Sequence, residues 1–155
     1  MEKIEKLKRI FKIERIDGYI VPKNDEFFSE YTPNHNDRLN FITNFSGSFG
    51  LALILKNKNY LFVDGRYTLQ AHNQSGKFFK IITIPNKIPK DFLKDKRLLI
   101  GFDPKFFTKK ILNNFFGKYN CKFKSLNKNL IDLIWKRKKK RLTSNFYKIP
   151  DNSVG

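Results

Sequence analysis

The sequence is poor in the residues that build disulfide frameworks and metal sites. Its 155 residues include one cysteine, Cys121, and two histidines, His35 and His72. A single cysteine excludes an internal disulfide framework and a thiol-rich zinc centre. A two-metal hydrolytic site needs several Asp, Glu and His ligands that converge on ions roughly 3.5–4 Å apart. Beyond a weak His35-x-Asp37 pair, neither histidine has such neighbours in sequence, so we expect solvated histidines and no metal in this chain.

Long hydrophobic runs are also absent. No apolar stretch approaches the ~20 residues that a membrane-spanning helix needs, and charges interrupt the N-terminal residues 1–4, which argues against a signal peptide. The sequence Ser46-Gly47-Ser48 does not meet the Gly-x-Ser-x-Gly pattern of a serine nucleophile. These absences predict a cytoplasmic protein that has no membrane partner and is not a complete enzyme by itself.

Acidic residues are scarce, since 14 Asp and Glu accompany 32 Lys and Arg, for a net charge of +18 and a pI near 10.0. Such a charge ordinarily suggests a nucleic-acid partner. However, the chain has 25 Lys, 17 Phe, 16 Ile and 16 Asn, four amino acids with A/T-rich codons, and only 7 Arg. Phosphate recognition prefers the arginine fork. We therefore attribute the charge to base composition and do not expect a nucleic-acid partner.

Hydrophobic residues make up 40% of the chain, enough for a core, and their spacing changes repeatedly between helical and strand periods. Because strands and helices interleave along most of the length, the sequence predicts an α/β domain with a mixed β-sheet flanked by helices. The predicted strands are residues 19–21, 51–55, 60–63, 78–84, 97–101 and 122–125, the second and third forming a hairpin. The predicted helices are residues 2–15, 67–74, 88–93, 108–116 and 130–135, and a short one at 38–42 capped by Asn34 or Asn36.

The most informative stretch joins the strand at 60–63 to the helix at 67–74. An apolar run ends in Asp64-Gly65-Arg66-Tyr67, and an amphipathic run follows at once. A charged pair is thereby placed at a strand-to-helix junction, where α/β proteins often keep functional residues. The other glycine-containing loop, Gly47-x-x-Gly50, precedes a strand rather than a helix, so we interpret it as a turn and not as an anion site.

Six segments carry a family resemblance. They are DGYIVPK at 17–23, DE at 25–26 with EY at 30–31, RLxFIxxFSGSxG at 38–50, LFVDGRYTLQA at 61–71, GFDP at 101–104 and NLIDxIW at 129–135. In order and spacing they resemble the N-terminal creatinase-type domain of Xaa-Pro aminopeptidases, the aminopeptidase P family. Creatinase and prolidase have related N-terminal domains, but the amino-acid sequence at 64–71 resembles that of aminopeptidase P more.

The resemblance implies a creatinase/prolidase N-terminal fold with ribonuclease H-like layering, in a polypeptide whose two creatinase-like domains precede a catalytic domain. That last domain carries two divalent metals, expected to be manganese, and removes the N-terminal residue that precedes proline. No position of this chain can inherit its metal ligands (two Asp, one His and two Glu). The chain is thus expected to be a non-catalytic first domain. The implied partners are the downstream domains, proline-containing peptides and a second copy in a homodimer.

The resemblance also divides the chain. We predict that residues 1–135 form the creatinase-type domain and that residues 136–155 form a basic linker toward a second domain. Six consecutive cations at 136–141 are typical of a solvated linker. Family members usually follow the Ile-Trp pair with Asp-Arg-Pro, whereas here the basic run intervenes and only Ile149-Pro150 remains, a departure that concerns the linker and not the domain.

Four residues are candidates for substrate access or interdomain contact: Arg66, Asp64, Tyr67 and Arg38. In related enzymes the N-terminal domains frame the metal site and can lend residues to it. Arg66 could pair with a carboxylate, Asp64 or Glu30, or face the substrate; alternatively, Asp64 and Arg66 only fasten a turn. A function of a different class also stays open, namely a free-standing basic module that binds a protein or a nucleic acid.

Overall fold

The computed structural model describes residues 2–93, 97–117 and 121–137, which fold around one six-stranded sheet. The strands are β1 (Gly18–Pro22), β2 (Gly50–Leu55), β3 (Asn59–Asp64), β4 (Lys80–Ile84), β5 (Leu99–Phe102) and β6 (Lys122–Ser125). The α-helices are α1 (Glu2–Glu14), α2 (Arg38–Thr43), α3 (Thr68–Ser75), α4 (Lys109–Phe116) and α5 (Leu130–Ile134). Short 3-10 helices cover Gly65–Tyr67, Pro89–Phe92 and Pro104–Phe106.

The sheet is mixed, as predicted, and its strands lie in the order β4-β3-β2-β1-β5-β6. β2 runs antiparallel to both of its neighbours, β1 and β3, and forms the expected hairpin with β3. The other pairs, β1 with β5, β5 with β6 and β3 with β4, are parallel. Five strands therefore end at one edge of the sheet, where β2 begins. We call this the C-terminal edge.

Both faces of the sheet are covered, which explains why β2 is buried along its whole length. On one face, Ala52 and Ile54 belong to a core built with α1, α2, α3 and α5. On the other face, Leu51, Leu53 and Leu55 pack with Phe106 and Phe107 after β5 and with Phe116 of α4. The alternation of side chains along one strand thus supplies two cores, and the sheet is the middle of three layers.

The helices follow the sequence pattern closely. α1 buries Ile4, Leu7 and Phe11, which recur at helical spacing. α4 is capped by Thr108 as predicted, because the Thr108 hydroxyl oxygen accepts the Ile111 N–H at 3.2 Å. Among the described helices, none has the length and apolar character required to cross a bilayer.

Three local predictions were wrong in detail. The cap of α2 is Asp37 rather than Asn34 or Asn36, since Asp37 Oδ1 accepts the Asn40 N–H at 2.9 Å and a carboxylate also suits the helix dipole. The strand predicted at 78–84 begins at Lys80, because residues 78 and 79 still donate to the Ser75 carbonyl at the end of α3. The helix predicted at 88–93 is a single 3-10 turn over Pro89–Phe92.

Candidate functional site

Two adjoining cavities lie at the C-terminal edge of the sheet. A polar cavity of about 340 Å³ is bounded by the loop after β1, the loop before β2 and the turn into α3. An apolar cavity of about 370 Å³ lies between the same two loops and α4. Lys23, Glu30 and Ser48 line both cavities. Because α/β sheets bind ligands outside the carboxyl ends of their strands, we regard this edge as the candidate site.

The residues around each cavity differ in chemistry. The polar cavity is lined by Lys23, Glu30, Tyr31, Thr32, Asn34, Asp37, Asn40, Ser46, Gly47, Ser48, Tyr67 and Gln70. The apolar cavity is lined by Pro22, Lys23, Asn24, Phe28, Ser29, Glu30, Ser48, Phe49, Gly50, Leu51, Phe107, Ile111 and Phe115. Of the four predicted site residues, Tyr67 lines the polar cavity directly, and Asp64 and Arg66 precede it in the same turn.

Asp64 and Arg66 pair with each other across the turn that follows β3. Asp64 Oδ1 accepts the Arg66 backbone N–H at 2.9 Å and Arg66 Nε at 3.0 Å, and a longer 3.4 Å contact joins Arg66 Nη2 to Asp64 Oδ2. The hydrogen bond from the Arg66 side chain lowers the pKa of Asp64, and the same bond raises the pKa of Arg66. The Arg66 side chain is nevertheless 73% exposed, so the pair fastens the turn and still presents a cation to solvent.

Tyr67 connects this turn to the loop before β2. The Tyr67 hydroxyl lies 2.7 Å from Ser48 Oγ, and the Tyr67 ring packs edge-on against the buried Phe45 at a centroid distance of 5.9 Å. The Arg66 guanidinium stands 5.5 Å from the Tyr67 ring centroid. The wall of the polar cavity is therefore held by aromatic packing behind it and by hydroxyl hydrogen bonding at its rim.

Arg38, the fourth predicted site residue, is buried and occupied by structural contacts. Its Nε and Nη2 donate to the two carboxylate oxygens of Asp132 on α5, both at 2.9 Å, and its Nη1 donates to the Asn36 carbonyl at 3.2 Å. Its guanidinium also stacks over the Phe106 ring at 4.7 Å. Arg38 is not among the residues that line either cavity, and its bidentate pair ties α2 to α5.

An ion pair that the sequence analysis did not single out lies at the polar cavity. Lys23 Nζ is 2.5 Å from Asp37 Oδ2, and both side chains are largely buried. Asp37 could have been recognised from sequence, because an aspartate just before an amphipathic segment is a favoured cap. Its partnership with Lys23 could not, since it depends on how the loop after β1 returns to α2.

The loop after β1 is anchored from within. Asp25 is buried, and its Oδ1 accepts the N–H groups of Phe27 at 3.0 Å and Ser29 at 3.1 Å. Burial raises the pKa of Asp25, but these N–H donors outweigh it, and the pKa is lowered overall. Asn24 Nδ2 adds a hydrogen bond to the Phe106 carbonyl at 3.1 Å. The anchored loop presents Glu30 at both cavities.

The donor set of the described residues does not fit a metal centre. Over residues 2–93, 97–117 and 121–137, no group of three or more His, Cys, Asp or Glu side chains is arranged to hold an ion. His35 in the loop after β1 and His72 on α3 are both exposed. Cys121 is half-buried, and burial raises the pKa of its thiol, which disfavours the nucleophilic thiolate.

The start of the predicted linker is folded onto the domain. Arg137 donates to Asp132, the same carboxylate that holds Arg38, and its guanidinium stacks over Trp135 at 4.5 Å. The remainder of that predicted segment, residues 138–155, lies outside the described residues, so the division at residue 135 stays a prediction.

Comparison with known proteins agrees with the resemblance read from the sequence. Residues 3–133 match the family model of the creatinase/prolidase N-terminal domain. A Laccaria bicolor protein named "Probable Xaa-Pro aminopeptidase P" is 36% identical over 149 residues, which cover 86% of this chain and 22% of that protein. Aminopeptidase P1 of Lotus japonicus is 35% identical over 127 residues, covering 77% of this chain and 19% of its own length.

Solved structures give the same picture. X-prolyl aminopeptidase from Caenorhabditis elegans, described as a cytosolic enzyme with a di-nuclear active site, superposes with a TM-score of 0.79 at 29% identity, covering 86% of this chain and 25% of that one. The N-terminal domain of the peptidase PepQ from Mycobacterium tuberculosis superposes with a TM-score of 0.66 at 17% identity, over 86% of this chain and 98% of that domain, which shows the shared fold. The chain spans about a fifth of the curated relatives that it matches.

Proposed function

This chain belongs to the creatinase/prolidase N-terminal domain family, and from that membership we propose that it is the non-catalytic first domain of an Xaa-Pro aminopeptidase. The observation that carries the proposal is the match of 86% of this chain to 22% of a relative named for that activity. We further propose that the parent enzyme, meaning the longer polypeptide, hydrolyses peptides whose second residue is proline. Its proposed location is the cytoplasm.

The proposed division of labour assigns bond cleavage to another domain. The described residues offer no metal-ligand cluster, whereas the Caenorhabditis elegans neighbour is described as having a di-nuclear active site. We therefore assign two divalent metals, expected to be manganese, to a downstream catalytic domain, and we propose a homodimer for the parent enzyme. In this proposal the described residues supply none of that chemistry.

The contribution of this domain would be a wall at the entrance to the catalytic site. A wall supplied by a separate domain excludes long or wrongly placed chains and so favours a short peptide end. The C-terminal edge suits this role because its side chains have fixed partners. Arg66 is hydrogen-bonded to Asp64 but remains exposed. Tyr67 is hydrogen-bonded to Ser48 and packs against Phe45. Arg66 and Tyr67 are the predicted site residues that can meet a peptide there.

The first experiment compares this chain with the parent enzyme. With manganese present, we expect the longer polypeptide to release alanine from an alanyl-prolyl peptide and the 155-residue chain to release none. Metal-dependent turnover by the 155-residue chain would overturn the non-catalytic assignment. An absence of turnover in both would overturn the assigned activity.

A second experiment tests the wall. In the parent enzyme we expect Arg66→Ala to raise KM for an Xaa-Pro peptide roughly two- to five-fold with kcat little changed, the pattern of a lost exposed contact that is equal in ground and transition states. Unchanged kinetics would assign Arg66 to the turn alone.

Binding of duplex DNA with an affinity that falls steeply with salt would instead favour the alternative function, a basic binding module.

A further inference from the structure

The apolar cavity has the character of a binding site and not of a packing defect. Its volume of about 370 Å³ is that of a small-ligand site, and it is open at the C-terminal edge. Aromatic and aliphatic side chains form most of its wall, namely those of Phe28, Phe49, Leu51, Phe107, Ile111 and Phe115. Leu51 and Phe107 of this wall belong to the second core, so the cavity opens that core to solvent, whereas Leu53, Leu61 and Phe62 are fully buried.

Exposed apolar side chains concentrate at the C-terminal edge, where this cavity opens. Seven large hydrophobic side chains are exposed among the described residues, and five of them lie in loops or helix starts at the C-terminal edge. They are Phe27 and Tyr31, at 78% and 80% exposed, with Phe28, Phe49 and Leu69. Two of these, Phe28 and Phe49, form the cavity wall itself. Such a concentration marks a surface that contacts something apolar.

The loop after β1 differs in charge from the chain as a whole. Residues 23–37 contain one lysine and four carboxylates, in a protein of net charge +18. Asp25 is satisfied by backbone N–H groups and Asp37 by Lys23, while Glu26 lies 3.9 Å from Arg38. Glu30 is exposed, and no hydrogen bond or ion pair to its carboxylate is found in the described part of the chain, although its charge attracts Arg66 and helps to raise the pKa of that guanidinium. The nearby cation Arg66 is held by Asp64.

The apolar wall and Glu30 therefore suit one ligand that has an apolar group next to a positive charge. Glu30 lines both cavities, so a group that fills the apolar cavity brings its neighbour next to this carboxylate. We propose that the apolar cavity binds an aromatic or large aliphatic side chain of a peptide, and that Glu30 selects a lysine or arginine beside it. This assignment rests on the proposed function, in which the ligand is the part of the substrate that follows proline. The site would then make the enzyme prefer substrates that have an apolar residue beside a basic residue after the proline.

The test measures binding to the 155-residue chain, so it does not depend on catalysis. The probe is the blocked dipeptide N-acetyl-Phe-Lys-amide, which has no free amino terminus, and the readout is the amide NMR spectrum of the isotope-labelled chain. We expect saturable shifts at Phe28, Phe49 and Ile111. Because exposed ion pairs are weak, we expect N-acetyl-Phe-Gln-amide to bind about three-fold less tightly and N-acetyl-Phe-Glu-amide weaker still. High salt should remove the preference for lysine and keep the binding.

Two variants separate the carboxylate from the wall. Glu30→Gln should abolish the roughly three-fold preference for lysine while leaving N-acetyl-Phe-Gln-amide binding unchanged. Phe49→Ala should weaken all three probes about five-fold by removing apolar contact area. Leu69→Ala truncates a more exposed apolar side chain at the same edge but outside the cavity, and it should change nothing. All three positions are on the surface, and an unchanged spectrum away from the substitution confirms folding.

Several results would overturn the proposal. Shifts that never saturate, or that scatter over the lysine-rich surface, would show that the cavity takes no peptide side chain. Equal affinity for the lysine and glutamate probes would remove Glu30 from recognition. If the probes bind this chain but not the parent enzyme, a downstream domain covers the cavity and the peptide assignment is wrong. Each of these outcomes leaves the aminopeptidase activity of the parent enzyme intact, so the two failures can be told apart.

Discussion

Two arginine–aspartate pairs in this domain make similar hydrogen bonds but differ in the burial of the arginine, since the two aspartate side chains are 35% and 37% exposed. Arg38 and Asp132 are 94 positions apart in sequence and close through two 2.9 Å contacts, with the Arg38 side chain 9% exposed. Asp64 and Arg66 are two positions apart, and the Arg66 side chain is 73% exposed. The first pair joins α2 to α5, whereas the second spans a single turn.

The two pairs differ in their expected contribution to stability and in whether the arginine is accessible to a ligand. Removal of Asp132 would leave the buried Arg38 guanidinium short of a counter-charge, which is costly, although Asp132 itself is 35% exposed. An exposed pair is screened by solvent and contributes little to stability. We infer that Arg38 is retained for the fold and that Arg66 is available for contact with a peptide, although both were candidates for the same site.

The largest expected effect is that of Arg38→Ala. We expect it to reduce the free energy of unfolding by about 1.5–3 kcal/mol, because it removes charged hydrogen bonds to Asp132 and the Asn36 carbonyl, while the half-exposed Asp132 keeps Arg137 as a partner. Urea unfolding measures the change. Arg66→Ala is the matched control, and its unfolding midpoint should equal that of the unaltered chain. Equal losses for the two variants would remove the distinction between the pairs.

Double-mutant cycles sharpen the comparison. For Arg38→Ala with Asp132→Ala we expect a coupling free energy of about 1–2 kcal/mol, as for residues in direct contact through two hydrogen bonds. For Asp64→Ala with Arg66→Ala we expect no coupling beyond experimental error, because both groups face water. Chemical denaturation of the four single and two double variants supplies the values. If the coupling free energy of Asp64 with Arg66 is as large as that of Arg38 with Asp132, the expected difference between the two pairs is wrong.

A smaller loss is expected for Tyr67→Phe. This change removes the hydroxyl contact to Ser48 but keeps the ring against Phe45, so it should cost about 0.5–1.5 kcal/mol. Ser48→Ala should cost a similar amount, and the double variant should lose little more than either single variant. Additive losses would mean that the two hydroxyls do not depend on each other.

The smallest effect concerns the pKa of Asp64. Because the Arg66 side chain lowers it, Arg66→Gln should raise it toward the ordinary aspartate value near 3.9. With the folded pKa below the unfolded one, the contribution of Asp64 to stability is present above the unfolded value and is lost as pH falls through the folded value. An NMR titration of the side-chain carboxyl carbon reads the pKa directly. Asp17, whose pKa is lowered chiefly by the Leu99 N–H, is the internal control and should not move.

Sequence patterns predicted the elements well wherever the determining contacts are local. The spacing of Ile4, Leu7 and Phe11 predicted α1, and the Thr108 hydroxyl predicted the start of α4. One error arose at the start of α2, where several residues in a row could act as the helix cap. Another arose at the start of β4, because residues 78 and 79 are hydrogen-bonded to the end of α3 instead. Of the predicted site residues, Tyr67 lines the polar cavity and Asp64 and Arg66 precede it in the same turn, whereas Arg38 is buried in a contact with Asp132 from the far end of the domain.

The amino-acid sequence alone determined the alternation of helices and strands, the family and the turn at 64–67, because periodicity and contacts two to four residues apart are written in the order of the residues. The order of the strands, the two cavities, and the partners Lys23–Asp37 and Arg38–Asp132 were decided only by tertiary structure. Such contacts join residues distant in sequence. They exist only once both faces of the sheet are packed and its loops are brought to one edge.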